Sequence, residues 1–280
     1  MGTRIFTHAP RIAQPLLIAA LLSSACARGP LQTLPTGPAL LTVVAWNMDA
    51  GRGDLPSLLA DLETGWPTRG AGAGCVVLLQ EAVKEDLPRL RQLADARGWS
   101  LLFVPVLDDG RRTRGNAILS SWPIQHPRAI PLPRERQPRI AAAAAIDVAG
   151  QRLFLVSAHL ENRVSWWKGG LPSDAARRRQ AEALVQALPA QEPGIVGGDF
   201  NTWLGPNEPA WRVLAHRFDD TPAPSRTPTF RDRLVLDHLF FDLPAGWSAV
   251  TSVVRDTYDS DHHPVVAVVT RDVGQLAGTK

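Results

Sequence analysis

Cysteine is almost absent from this chain, with two in 280 residues, Cys26 and Cys75. No disulfide framework can be built from them, so the fold must be held by an apolar core. Net charge is also scarce. Thirty basic residues stand against 27 acidic ones, and setting aside residues 1–27, with Arg4 and Arg11 but no acid, leaves 28 against 27, a formal +1. A body so close to neutral lacks the global positive field of a nonspecific nucleic-acid binder and leaves room only for local patches. Beyond the amino terminus there is no run of eighteen apolar residues, no internal repeat and no heptad pattern. Their absence argues against a bundle of membrane-spanning helices, a solenoid and a coiled coil. The composition, 45% hydrophobic and 20% charged, is that of one globular domain with one large core.

At the amino terminus, Arg4 and Arg11 precede the apolar stretch 16–22 and then small residues as far as Cys26-Ala27. This is the layout of a secretory leader, too short to be a stable membrane span. Two exits fit: cleavage after Ala25-Cys26-Ala27, or lipidation of Cys26 after Ser23-Ser24-Ala25, with Ser23 where bacterial lipoprotein signals carry Leu. The lipidated form is preferred, giving a periplasmic, outer-membrane or secreted protein with residues 1–27 as leader. The Pro/Gly-rich residues 28–38 then serve as a tether, residues 39–272 as the domain and 273–280 as a tail. Cys75 stands before Val76-Val77-Leu78-Leu79 and reads as a buried, inert thiol.

Apolar periodicity places strands at 40–46, 75–79, 101–106, 117–120, 140–148, 152–158, 194–197, 234–241, 249–254 and 264–270. Helices fit 55–63, 84–96, 173–188 and 208–216. In the third, Ala176, Ala183, Leu184, Ala187 and Leu188 form one apolar face behind a Ser173 cap. Arg177, Arg178 and Arg179 step by about 100° each around that helix, so they cannot share a face and are expected in solvent. Arg128, Arg134, Arg136 and Arg139 fall among prolines and read as a loop. Many strands with few helices indicate an α/β sandwich, two sheets face to face with helices outside.

Polar residues gather at strand ends. The first strand runs into Asn47-Met48-Asp49, the second into Gln80-Glu81, the sixth into His159-Leu160-Glu161-Asn162 and the seventh into Gly198-Asp199-Phe200-Asn201. Asp237-His238 sits inside the apolar run 234–241, and Asp259-Ser260-Asp261-His262-His263-Pro264 opens the last strand. Each has a bland reading: Asn47 as a turn former, Glu81 as a helix-start carboxylate, Asp199-Phe200-Asn201 as an Asx turn, His159 as a satisfied half-buried imidazole. Six such coincidences point instead to one rim carrying one site.

Asn47, Gln80-Glu81, Gly115-Asn116-Ala117-Ile118-Leu119-Ser120, His159-Leu160, Gly198-Asp199-Phe200-Asn201, Leu236-Asp237-His238 and Ser260-Asp261-His262-His263-Pro264 together resemble an ordered motif set. It is that of the endonuclease/exonuclease/phosphatase superfamily, which includes deoxyribonuclease I, abasic-site endonucleases, bacterial sphingomyelinases and inositol-polyphosphate 5-phosphatases. The resemblance spans residues 40–270. It implies a four-layered α/β sandwich of two face-to-face mixed sheets flanked by helices, and a phosphoester hydrolase dependent on Mg2+, with Mn2+ able to substitute. Glu81 would be the main metal ligand, with Asn47, Asp49 and Asp261 near the ion, an oxygen-rich set suited to a hard cation. Asp237 and His262 would form a carboxylate–imidazole pair. Asp199 and Asn201 would hold the attacking water and a phosphoryl oxygen, with the role of base shared between His262 and Asp199. His159 would stand near the leaving group as a protonated imidazole, and Arg114 and Asn116 would approach the phosphate. His238 and His263 are expected to pack or support, and Trp166-Trp167-Lys168 to form a lid. The expected substrate is a phosphodiester, nucleic acid or its fragments, handled by a monomer. A phospholipid or sphingomyelin phosphodiesterase and a noncatalytic binding protein on the same fold are the alternatives.

Overall fold

The computed structural model describes residues 39–65, 74–162 and 173–271. The leader, the tether, the tail and Trp166-Trp167-Lys168 lie outside the described residues. Among the described residues eleven strands run β1 (Ala39–Asn47), β2 (Gly74–Val83), β3 (Ser100–Asp108), β4 (Thr113–Ser120), β5 (Gln125–Leu132), β6 (Arg139–Val148), β7 (Gln151–His159), β8 (Gly194–Asp199), β9 (Asp237–Asp242), β10 (Trp247–Val253) and β11 (Val265–Arg271). Four α-helices accompany them: α1 (Leu55–Glu63), α2 (Leu87–Asp95), α3 (Asp174–Ala187) and α4 (Pro209–Arg217). One sheet has the order β10-β11-β1-β2-β4-β3 and the other β5-β6-β7-β8-β9.

The layers follow from alternation. Leu41, Val43 and Ala45 of β1 and Val76 and Leu78 of β2 point inward, meeting Ala142 and Ala144 of β6, Leu153 and Leu155 of β7, Ile195 of β8 and Leu239 of β9. The intervening Val44, Trp46, Val77 and Leu79 point outward against Leu55, Leu58 and Leu59 of α1 and Leu90 and Ala94 of α2. On the second sheet, Phe154, Val156, Val196 and Phe240 face Ala181 and Leu184 of α3 and Leu214 of α4. Both faces of the central strands are covered, which is why they read as continuous apolar runs rather than alternating ones. A fully buried side chain such as Leu78 contributes roughly 1.5–3 kcal/mol. Small residues set the spacing between the sheets. A Cβ on Gly197 would lie 2.6 Å from Leu239 and 2.8 Å from Leu78.

Each sheet contains a parallel pair, β1 with β2 and β7 with β8. Each pair is flanked by antiparallel partners, β11 and β4 in one sheet and β6 and β9 in the other. The carboxyl ends of β1, β2, β7 and β8 therefore share a rim with the amino ends of β4, β6, β9 and β11. That rim is where the sequence concentrates its polar residues.

Four expectations need correction. The stretch 125–132, read as loop, is strand β5. It carries Pro127 and Pro131, but it is an edge strand, paired only with β6 and bulged between Gln125 and Arg128, a place where the missing amides cost no ladder bond. Ser173 caps nothing with its side chain; its hydroxyl accepts from Arg177 Nη1 at 2.6 Å. Finally, α3 buries Ala176, Arg177, Gln180, Ala181 and Leu184, so Ala183 and Ala187 are not its core face. Arg177 is the one of the three consecutive arginines that turns inward, where it pairs with the buried Glu208.

Candidate active site

The site is assembled by strand register. His159 of β7 lies opposite Asp199 of β8, and Asp199 lies opposite Asp237, the first residue of β9 rather than an interior one. Asn47 ends β1 opposite Gln80. Because Ala45 pairs with Val265, the residues just before β11 arrive on the same rim. Ser260 holds them there: its hydroxyl donates to the Asn47 carbonyl at 2.7 Å and accepts from the His262 amide at 3.1 Å. Trp46 Nε1 donates to the His262 carbonyl at 3.0 Å from the opposite side.

At the floor, Asp237 Oδ2 lies 2.8 Å from His262 Nδ1, while Asp237 Oδ1 is buried with no hydrogen-bond partner. His262 turns Nε2 toward Asp199 Oδ2 and Asp261 Oδ1, each 3.8 Å away. Asp199 accepts from the Asn201 amide at 2.9 Å and from Asn47 Nδ2 at 3.1 Å, with His159 Nε2 at 3.5 Å. Asn201 adopts φ 51° and donates Nδ2 to the Leu160 carbonyl at 3.2 Å. The cavity above, about 210 Å³, is lined among others by Asn47, Asp49, Glu81, His159, Asp199, Asn201, Asp261 and His262.

Glu81 stands at the edge of this cavity where β2 bulges between Leu79 and Ala82, with φ 54°. Its Oε2 accepts from the Ala50 amide at 3.1 Å and from Arg114 Nη1 at 3.2 Å. Its Oε1 lies 3.9 Å from His159 Nδ1 and, among the described residues, accepts no hydrogen bond. Asp49 and Asp261 are already neutralised, the first by Arg52 at 2.8 Å and the second by Arg231 at 2.9 Å. Asn116 is buried and donates to the Ile140 carbonyl at 2.8 Å, so it ties β4 to β6 across the two sheets. It also borders, with Arg114 and Arg139, a second hollow on the far side of Glu81 and His159. His238 sits behind the floor with Nε2 at 2.7 Å from Thr202 Oγ1. His263 lies between the Val254 carbonyl and Asp232. Both are buried.

Burial and charge set the proton affinities. Burial would lower the pKa of His262, but Asp237, its hydrogen bond, Asp199 and Asp261 outweigh it and raise it to about 10. Asp199 is pushed up to about 7, first by burial and then by Asp237. His159 is driven well below its ordinary value by burial and by Arg139, His262 and Arg114. It is therefore neutral at neutral pH, contrary to the expectation of a protonated imidazole: the ring is buried and cations flank it.

At this rim, two places among the described residues suit a hard divalent cation. Asp199, Asp237 and His262, all buried, offer ligand atoms within 4.8 Å of one another. In that cluster, however, His262 Nδ1 already engages Asp237. The Glu81 edge offers the carboxylate oxygen Oε1, free of hydrogen bonds, beside Asn47 in the open cavity. An oxygen donor completed by water and substrate is the better fit for a magnesium-like ion.

The structure also brings to the rim Phe230, Arg231 and Trp203, which the sequence did not single out, and Arg139, which it placed in a loop. Phe230 packs on His262 with ring centroids 4.7 Å apart, and Arg231 lies over Phe230 and on Asp261. Arg139, read as a loop cation, begins β6 almost fully buried, 3.8 Å from Glu161. Trp203 lines the cavity as well. Only Trp203 carried a signal, its position two residues beyond Asn201; Phe230 and Arg231 come from a loop with no motif of its own.

Residues 44–262 match the family model described as "Endonuclease/Exonuclease/phosphatase family". A UPF0294 protein of Vibrio vulnificus strain YJ016 is 26% identical over 244 residues, covering 82% of this chain and 77% of that protein. Among solved structures, an endonuclease/exonuclease/phosphatase from Beutenbergia cavernae superposes with a TM-score of 0.64 at 20% identity, covering 83% of this chain and 72% of that one. D. rerio TDP2 complexed with a single-strand DNA product superposes with a TM-score of 0.58 at 18% identity, covering 82% and 98%. At these identities the two structures speak for the fold.

Proposed function

The chain belongs to the endonuclease/exonuclease/phosphatase family, and from that membership and the rim geometry we propose a phosphodiesterase that hydrolyses its substrate by in-line attack of an activated water. Members of the family are typically hydrolases, and they typically use a divalent metal. The observation that carries the reading is the buried Asp237–His262 pair facing Asp199 at the floor of a cavity whose edge is Glu81.

Asp199, with a pKa near 7, is matched to accept the water proton at neutral pH. His262, protonated and aimed by Asp237, offers Nε2–H to a phosphoryl oxygen, where charge accumulates in the transition state. Asn201 fixes the Asp199 carboxylate through its amide, and neutral His159 borders the same carboxylate. Arg114 steadies Glu81. Magnesium, or manganese in its place, would be held by Glu81 with Asn47 beside it and would supply positive charge for the phosphoryl oxygens. The leader pattern supports placing this chemistry outside the cytoplasm on a lipid anchor.

The test is hydrolysis of plasmid DNA, RNA, sphingomyelin and a chromogenic phosphodiester by purified protein, with and without chelator. Chelation should abolish turnover, and Glu81→Gln should depress it with Mg2+ or Mn2+. Undiminished turnover in excess chelator overturns the metal assignment. A folded parent inert on every phosphodiester overturns the enzyme in favour of a binding protein.

A further inference from the structure

The carboxylate and the ring of the Asp237–His262 pair belong to different sheets. Asp237 begins β9, the edge of the five-stranded sheet, whereas His262 stands just ahead of β11 in the six-stranded one. Among the described residues Asp237 Oδ1 has no hydrogen-bond partner, so the side chain is tied only through Oδ2, 2.8 Å from His262 Nδ1. The backbone on either side must therefore set that distance. Where β9 begins, the Thr229 hydroxyl accepts from the amides of Leu236 at 2.9 Å and of Asp237 at 3.0 Å. The carbonyl of the same residue accepts from the His263 amide at 2.7 Å. Thr229 is fully buried, so bulk water does not compete for these bonds. Its neighbours extend the contact: Phe230 packs on the His262 ring, and the Arg231 amide donates to the Asp261 carbonyl at 3.1 Å.

We propose that Thr229 is a positioning residue for the Asp237–His262 pair, its hydroxyl fastening the Asp237 side and its carbonyl the His262 side across the junction of the two sheets. This inference rests on the phosphodiesterase reading above and names what holds the geometry of that site. Apolar contact between sheets is non-directional, whereas hydrogen bonds fix both distance and angle. One hydroxyl serves two amides because its oxygen carries two acceptor lone pairs. Valine has the same outline and no lone pair, so in its place both amides lose their partner. His262 would keep its own ties, since Trp46 Nε1 donates to its carbonyl and Ser260 accepts from its amide. Asp237 is then the member that withdraws. A second threonine acts on the same strand away from the site: the Thr221 hydroxyl accepts from the Phe241 amide at 2.9 Å and touches neither member of the pair.

The experiment records the Nδ1 proton resonance of His262 by NMR in the full protein with isotope-labelled histidine, assigned by its loss in His262→Ala. In parallel, kcat and KM are measured on bis(p-nitrophenyl) phosphate with saturating Mg2+. The variants are Thr229→Val, Thr229→Ser and Thr221→Val, with folding checked by circular dichroism. Thr229→Val should shift the resonance upfield or broaden it away, and should lower kcat roughly 10- to 100-fold, as misplacing a reacting group by about 1 Å does, with KM nearly unchanged. Thr229→Ser, which keeps the hydroxyl, should retain the parent resonance and kcat, and so should Thr221→Val. The parent resonance persisting in Thr229→Val, its loss in Thr229→Ser, or an equal change in Thr221→Val overturns the proposal. So does a raised KM at unchanged kcat in Thr229→Val. Should Thr229→Val not fold, Thr229→Ala replaces it in every comparison. Because the resonance is read without substrate or metal, a parent that hydrolyses nothing defeats the phosphodiesterase reading while the resonance still decides the part played by Thr229.

Discussion

Replacing Asp237 by Asn removes one buried charge and almost no volume, which makes it the sharpest probe of the floor. In the parent, Asp237 Oδ2 stands 2.8 Å from His262 Nδ1. Burial alone would push the ring below its ordinary 6.5, yet the carboxylates hold it at about 10. The interval from 6.5 to about 10 corresponds to roughly 5 kcal/mol of preference for the charged ring. Asp237 is the strongest of the groups supplying it. In Asp237→Asn, burial should win back most of that interval, and His262 should shed its proton in or below the neutral range. The linkage has a definite sign. A pKa raised in the folded state gives stability that is fully present below pH 6.5 and is lost as pH rises through about 10. Chelator-treated parent should therefore lose unfolding free energy between pH 7 and pH 10, and the variant should lack that component. The assays are NMR titration of the His262 ring and urea unfolding at the two pH values. If the variant ring still titrates near 10, or the parent ring near 6.5, the account of the floor is wrong. In turnover, Asp237→Asn and His262→Ala should each cost about 10²–10⁴-fold, and the pair little more than the worse single change.

Two further outcomes concern the scaffold. Arg177 and Glu208 are 2% and 0% exposed and ion-paired, so Arg177→Met alone should cost about 3–5 kcal/mol by leaving a buried carboxylate unpaired, while Arg177→Met with Glu208→Leu should recover most of it in urea unfolding. An unchanged unfolding midpoint for the single variant would contradict this. Gly198 adopts φ 151°, and a Cβ there would lie 1.8 Å from the Ala158 carbonyl oxygen; Gly198→Ala should lose more than about 3 kcal/mol or fail to fold, and a variant as stable as the parent would refute the register of β7 on β8.

The sequence by itself determined the layers and the inventory of the rim. Periodicity is a local property: burial on both faces writes continuous apolar runs into 75–79 and 194–197, and strand ends are marked by where those runs meet Asn47, Glu81, His159 and Asp199. The ordered motifs added the family, which the match over residues 44–262 bears out. Tertiary structure decided what no local pattern carries, namely partners and charge states. Asn47 reaches Asp199 across 152 residues, and Arg177 turns inward only because Glu208 waits there, just ahead of α4. Arg139 is buried because β6 carries it to Glu161, and β5 survives its prolines because it is an edge. His262 and His159 are the same side chain a few ångströms apart around one carboxylate, yet one is driven up and the other down. The difference lies in which remote charges the fold brings within a few ångströms in a medium that screens them weakly, and that is set by packing rather than by spacing along the chain.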